Sequence, residues 1–389
     1  MMNFDKQPSR YNTDSVKWDS LTTDYKEEGL LPFWVADMDF LAPQEVREAL
    51  AASIKHGIFG YTQTTDLLYQ AIINWQNIHH HVSLKKEEII FSTSVLASLA
   101  VAIQTFTEPN DTILIHDPVY PPFAKTVLEN SRKLLRSTLI EENGHFVMDF
   151  ADIEEKMRTQ KVKAMILCNP NNPGGRIWGK DELITLGRLC EKYHVLLFAD
   201  EIHQDLELFG HSFTSMFHTL PAFEKFTLVF TAPTKTFNLA GIKCSMAFIK
   251  NPTLRQQFED TLSRNNQTEI NTFGLIGTQV AYEHGADWLS QLISYLENNV
   301  KTAEQFFAKE LPNVNVMRPE GTYLMWLDFS NYIDDDEELM HQLVHKGKVV
   351  LNPGISFGAA GHAHMRFNIA CSHDTLLEGL HRIAHTFKD

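Results

Sequence analysis

Four short segments of the chain carry residue types that can do chemistry. Asn172 sits in the turn Asn169-Pro170-Asn171-Asn172-Pro173-Gly174-Gly175. The prolines and glycines there impose a rigid, non-helical path. Its amide is either part of an ordinary strand-to-helix loop or a fixed donor to a ligand oxygen. Asp200 opens Asp200-Glu201-Ile202-His203, directly after the apolar run Val195–Ala199. A carboxylate drawn into the interior wants a cation. That cation is a structural partner in one reading, and a protonated heterocyclic nitrogen or a metal in the other. Lys235 lies in Thr234-Lys235-Thr236-Phe237-Asn238, after Leu228–Phe230. A surface lysine is the ordinary case; a desolvated one has a lowered pKa and becomes a nucleophile able to form a Schiff base. Arg366 alternates with Met365 and Phe367. Its fork suits a carboxylate, bound bidentately in a pocket or paired at a rim.

Most of these residues follow stretches that read as buried strands. Ile113–Ile115, Ala164–Cys168, Val195–Ala199, Leu228–Phe230 and Met246–Ile249 are apolar on both faces, as strands of a mostly parallel sheet are. Leu183, Leu186, Cys190 and Tyr193 recur at helical spacing just before the Val195 strand, which gives a β-α-β rhythm. Ligands of open α/β sheets bind at the C-terminal strand ends. Further on, Leu289, Leu292, Leu296, Val300, Ala303 and Phe307 form one stripe of a long helix. Residues 322–329 read as a strand. Residues 374–388 read as a closing helix with Leu376, Leu380, Ile383 and Phe387 on one face. The pattern predicts an α/β chain with a large domain at about 46–282 and a smaller one made of 1–45 and 283–389.

The 389 residues are 43% hydrophobic and 21% charged, enough for a sizeable core. A net charge of −15 opposes binding to nucleic acid or to an anionic membrane surface. Mean hydropathy is −0.21, and no apolar stretch nears the ~20 residues that span a bilayer. The start, Met1-Met2-Asn3-Phe4-Asp5-Lys6, lacks the basic and apolar regions of a secretory signal, so a cytoplasmic chain is expected. Cys168, Cys190, Cys244 and Cys371 form no C-x-x-C pair and read as small buried residues in a reducing compartment. His79-His80-His81 reads as a solvated helix end, because adjacent histidines on a helix do not converge on a metal. His362 and His364 in a Gly-rich loop give no metal expectation either. The acidic run Asp334–Glu338 reads as a helix start.

Taken together, the order Asn172, Asp200, Lys235, Arg366 resembles the pyridoxal-phosphate enzymes of the aminotransferase class I/II superfamily. Their pattern is an Asn-Pro-x-Asn-Pro-x-Gly turn, an acidic residue after a strand, a small-polar-Lys segment and a late arginine. Phe33–Phe40, Gly57–Thr62, Asp200–His203, Thr234–Asn238, Glu320–Asp328 and Arg366–Cys371 are similar to the C–S lyase subgroup, the cystathionine β-lyases of the MalY/PatB type. The resemblance spans essentially the whole chain.

The resemblance implies fold type I: a large domain with a mostly parallel mixed sheet, plus a small α/β C-terminal domain. It implies that Lys235 holds pyridoxal 5'-phosphate covalently and later acts as base, and that Asp200 pairs with the pyridinium nitrogen. It implies that Asn172 donates to the phenolic oxygen, with His203 nearby, and that Tyr120 stacks on the ring. Thr234, Lys243 and the backbone N–H groups of Val95 and Leu96 would take the phosphate. Tyr61 would reach the phosphate of a neighbouring subunit, which makes the expected assembly a homodimer. Arg366 would hold the substrate carboxylate, with Asn172 and the Ala36 backbone beside it. Pro121, Thr234 and Ala97 depart from the subgroup's usual residues, and Thr234 keeps a hydroxyl. The implied reaction is β-elimination at an S-substituted cysteine such as L-cystathionine. An aminotransferase shares the first steps and is the alternative; a cofactor-holding regulatory protein is a third reading.

Overall fold

The computed structural model describes residues 2–388. Its centre is a seven-stranded sheet in the order Ile89–Ser92, Ser245–Phe248, Thr227–Thr231, Leu196–Asp200, Val162–Cys168, Thr112–Asp117, Lys133–Thr138. Ser245–Phe248 runs antiparallel to both neighbours, and the remaining pairs are parallel. Helices on both faces explain why these strands are continuous apolar runs. Lys180–Tyr193 is one of them and buries Leu183, Leu186 and Cys190. The five predicted strands all lie within this sheet, and all four cysteines are buried and free.

A second, antiparallel sheet joins Asn315–Met317, Leu324–Asp328, His364–Asn368 and Asn352–Pro353. Leu31–Pro32 pairs in parallel with Val349–Val350, which fastens the N-terminal segment to the C-terminal part of the chain. The long helix Ala286–Glu310 buries Leu289, Leu292, Leu296, Val300, Ala303 and Phe307, the predicted stripe. Two expectations shift at their ends. The strand begins at Leu324, because Thr322 takes a left-handed φ of 69° that no strand continues through. The last helix ends at Thr386; Phe387 leaves it and stacks on Phe329 at 5.3 Å. Asp335 caps the helix Asp336–His345 through the Glu338 N–H, so the acidic run does begin a helix.

Candidate active site

The site forms where the sheet's parallel strands end. Register sets Asp200 level with Cys168 on one side and Phe230 on the other. The turn holding Asn172 follows Val162–Cys168, and Lys235 lies in the short helix Pro233–Thr236 after Thr227–Thr231. Three segments far apart in sequence therefore meet at one edge. The Asn172 turn is braced from within: Asn171 N–H donates to Arg176 O at 2.7 Å, and Gly175 N–H donates to Asn171 O at 2.8 Å. Gly175 has φ +69°, and a Cβ there would lie 2.6 Å from Pro319 Cβ, so the close approach of the 319–321 segment requires glycine.

A cavity of about 220 Å³ opens at this edge. Its lining includes Lys235, Asp200, Asn172, Tyr120, His203, Thr234, Lys243, Ala36, Val95 and Leu96. Arg366 joins it through Asn172: one guanidinium nitrogen donates to Asn172 Oδ1 at 2.9 Å. The other donates to Trp34 O at 2.7 Å and to Asn352 Oδ1 at 3.0 Å. With its oxygen taken, Asn172 has its Nδ2 left to donate, the role its sequence position suggests. The guanidinium also lies 4.9 Å from the centre of the Phe357 ring.

Burial sets the charges. Asp200 is buried, and among the described residues its carboxylate has one hydrogen bond, from the Ile202 N–H at 3.0 Å. Loss of water pushes its pKa up to about 7, against the pull of that N–H and of Lys235. Lys235 is half-buried, and its Nζ donates to Ala36 O at 2.7 Å. Desolvation first, then the Arg366 charge, lowers the amine to about 8. His203 is buried; desolvation, then Lys235 and Arg366, push its pKa well down, so the ring is neutral at pH 7. Burial raises the Tyr120 hydroxyl and lowers Arg366 to about 10, which leaves the arginine cationic.

The end of the cavity near residue 95 is prepared for an anion. Ser94 caps the helix Val95–Phe106 with its hydroxyl on the Ala97 N–H at 3.1 Å. The N–H groups of Val95 and Leu96 precede that bond and remain for a ligand. Tyr61 stands apart from the cavity. It is 99% exposed, beside an open hollow of about 910 Å³ whose lining residues include no lysine or arginine.

Some functional contacts escaped the sequence reading. Tyr323 donates to the same Ala36 carbonyl as Lys235, at 2.9 Å. Its signal was a hydroxylated aromatic in an otherwise apolar stretch, Tyr323–Leu327. Asn352 and the Trp34 carbonyl orient Arg366 from places that no local pattern marks. One expectation needs correction. His79 and His81 are exposed, but His80 is buried, with Nε2 2.6 Å from Asp205 Oδ1. Asp205 also accepts Trp75 Nε1 at 2.8 Å and Thr236 Oγ1 at 2.5 Å, so His80 ends its helix inside a buried network next to Lys235. A buried carboxylate offers acceptors that outweigh hydration of the ring.

These residues fit pyridoxal phosphate. Among the described residues the buried Asp200 carboxylate has no contacting cation, and a protonated pyridine nitrogen would supply one. An amine held near neutrality faces the same space, and a capped helix start can take a phosphate. The edge of a mixed α/β sheet and this cavity define a pyridoxal-phosphate enzyme of fold type I. The chain belongs to the aminotransferase class I and II family, whose model matches residues 29–383, and within it to the MalY/PatB C–S lyase subgroup. It is 42% identical to cystathionine β-lyase PatB of Bacillus subtilis over 382 residues, 98% of this chain and 99% of that one. It is 29% identical to protein MalY of Escherichia coli over 98% of this chain and 97% of that one. The crystal structure of cystalysin from Treponema denticola, which contains a pyridoxal 5'-phosphate cofactor, aligns with a TM-score of 0.96 at 31% identity. That alignment covers 99% of this chain and 98% of cystalysin.

Proposed function

We propose that this chain cleaves the C–S bond of L-cystathionine and related S-substituted cysteines by β-elimination. With L-cystathionine and one water, the products are homocysteine, pyruvate and ammonia. The observation that carries the chemistry is Lys235: an amine lowered to about 8, at the cavity, with the buried Asp200 in the same cavity. Bound pyridoxal phosphate supplies the electron sink that makes the substrate Cα acidic. Lys235 takes the Cα proton as general base. Asp200 holds a positive charge at its end of the cavity. Asn172 Nδ2 would donate to the cofactor's phenolic oxygen, with neutral His203 on the same cavity wall, and Tyr120 would stack on its ring. Thr234, Lys243 and the N–H groups of Val95 and Leu96 would hold the phosphate. Arg366, already formed into a fork by Asn172, Trp34 and Asn352, takes the substrate carboxylate. The Ala36 carbonyl is engaged by Lys235 and Tyr323, and the Ala36 N–H would lie beside the same carboxylate.

The test is incubation with L-cystathionine, L-cystine and L-cysteine, with pyruvate and free thiol assayed. Pyruvate and thiol formed together, with no 2-oxo acid acceptor, is the lyase result. Turnover only with an added 2-oxo acid would make the chain an aminotransferase, and binding without turnover a regulatory protein. Lys235→Ala should abolish the reaction, and borohydride should fix cofactor to Lys235 of the native chain and to no other lysine.

We also infer a homodimer in which Tyr61 reaches the partner's phosphate. The exposed apolar surface at Ile58, Phe59 and Tyr61 supports it. The two separate sheets support a large unit at about 46–282 and a small one of 1–45 with 283–389. Four buried free thiols favour the cytoplasm, and among the described residues no helix is long and apolar enough to cross a membrane.

A further inference from the structure

Among the described residues the segment 34–40 lies in no strand; its Asp39 N–H donates to Ala370 O at 2.9 Å, but most of its carbonyls need side-chain donors. Two asparagines meet that need in the same way. Asn368 Nδ2 donates to Val35 O at 2.6 Å and to Asp37 O at 2.7 Å, while its Oδ1 accepts the Ala370 N–H at 2.9 Å. Asn238 Nδ2 donates to Met38 O at 2.9 Å and to Phe40 O at 2.8 Å, while its Oδ1 accepts the Met38 N–H at 3.0 Å. Each amide spends both hydrogens on alternate carbonyls. Asn368 stands two residues beyond Arg366 on one strand, and Asn238 three residues beyond Lys235. Between the two carbonyls gripped by Asn368 lies that of Ala36, the acceptor of the Lys235 amine.

We propose that Asn368 is a positioning residue for the base: by holding the peptides on either side of Ala36, it fixes the carbonyl that places the free Lys235 amine. Arg366 grips Trp34 O of the same segment, so one stretch of backbone ties the carboxylate clamp to the base. Asn238 anchors the far end to the segment that carries Lys235 itself. Asn368 is fully buried and does not line the cavity, so it acts through this backbone alone. The proposal rests on Lys235 being the base, and its test is readable without turnover.

The cofactor-free full chain is labelled with acetic anhydride across pH, and the rate at Lys235 is read by mass spectrometry. A carbonyl acceptor favours the ammonium form, so loss of the contact lowers the labelling midpoint. In Asn368→Ala and Asn368→Ser the midpoint should fall by roughly half a pH unit or more, the size of one hydrogen bond. In the loaded enzyme, kcat on L-cystathionine should fall roughly tenfold to a hundredfold, more than KM rises, as misplacement of a base by about 1 Å does. Tyr323→Phe leaves the segment in place and frees Ala36 O for Lys235 alone, so its midpoint should rise. A lower melting temperature in the Asn368 variants, with midpoint and kcat unchanged, would reduce Asn368 to a structural clip and overturn the proposal. If those variants do not fold, an unmoved midpoint in Tyr323→Phe overturns it instead. Failure of the native chain to cleave cystathionine, with the midpoints moving as stated, would refute the lyase reading and leave the positioning intact.

Discussion

Arg366 is where the most chemistry rests on one side chain. Asn172, Trp34 and Asn352 already hold its guanidinium, so in the proposed role little ordering cost would remain on binding. Arg366→Ala should lower kcat/KM for L-cystathionine roughly tenfold to a hundredfold, the worth of a desolvated charge-assisted contact. Arg366→Lys should recover little, because an ammonium cannot reproduce the planar fork. The same cation also lowers the pKa of Lys235, second only to desolvation. Free base accumulates as pH rises through that pKa, so in the cofactor-free chain the acid limb of Lys235 acetylation should lie near pH 8. In Arg366→Ala that limb should move to higher pH. A loss of kcat/KM explained by weaker cofactor binding, or an unmoved limb, would show that Arg366 neither holds substrate nor tunes Lys235.

At the scale of elements, the strand Thr112–Asp117 carries a stored pH response. His116 is fully buried, and among the described residues neither ring nitrogen has a hydrogen-bond partner. Desolvation lowers its pKa from 6.5 to about 4. The unfolded chain binds the proton near 6.5 and the folded chain only near 4, so the folded state loses stability as pH falls between those values. The loss is on the order of 3 kcal/mol at full extent, and absent above neutrality. His116→Met keeps an apolar filling without the titration. Melting temperatures measured at pH 7.5 and pH 5 should differ less in that variant than in the native chain. An equal difference in both would place the acid sensitivity elsewhere.

At the scale of the whole molecule, the proposed homodimer, in which the exposed Tyr61 reaches the partner's phosphate, has a direct test. Tyr61→Ala and Lys235→Ala chains should each be nearly inactive alone. Mixed, unfolded and refolded together, they should recover about a quarter of native activity. Half the dimers are then hybrids, and one of their two sites is intact. No recovery in a mixture shown to contain hybrid dimers would remove Tyr61 from the partner's site.

The sequence by itself determined the strands and what stands at their ends. Runs such as Leu196–Asp200 are apolar on both faces because helices cover both sides of the sheet, and that pattern is local. Asn172, Asp200 and Lys235 were legible because each is a polar residue that follows such a run, and Arg366 because it alternates with Met365 and Phe367. The tertiary structure alone decided how those residues act on one another. That the Ala36 carbonyl receives Lys235 and Tyr323, and that the Trp34 carbonyl and the Asn352 side chain hold Arg366, depends on segments far apart in sequence meeting in the fold, mostly at backbone carbonyls. Carbonyls are the same at every position and leave no mark in a sequence. His80 departs from the expected solvated position for a related reason: the end of a helix is solvated unless something distant covers it, and Asp205 arrives only through the fold.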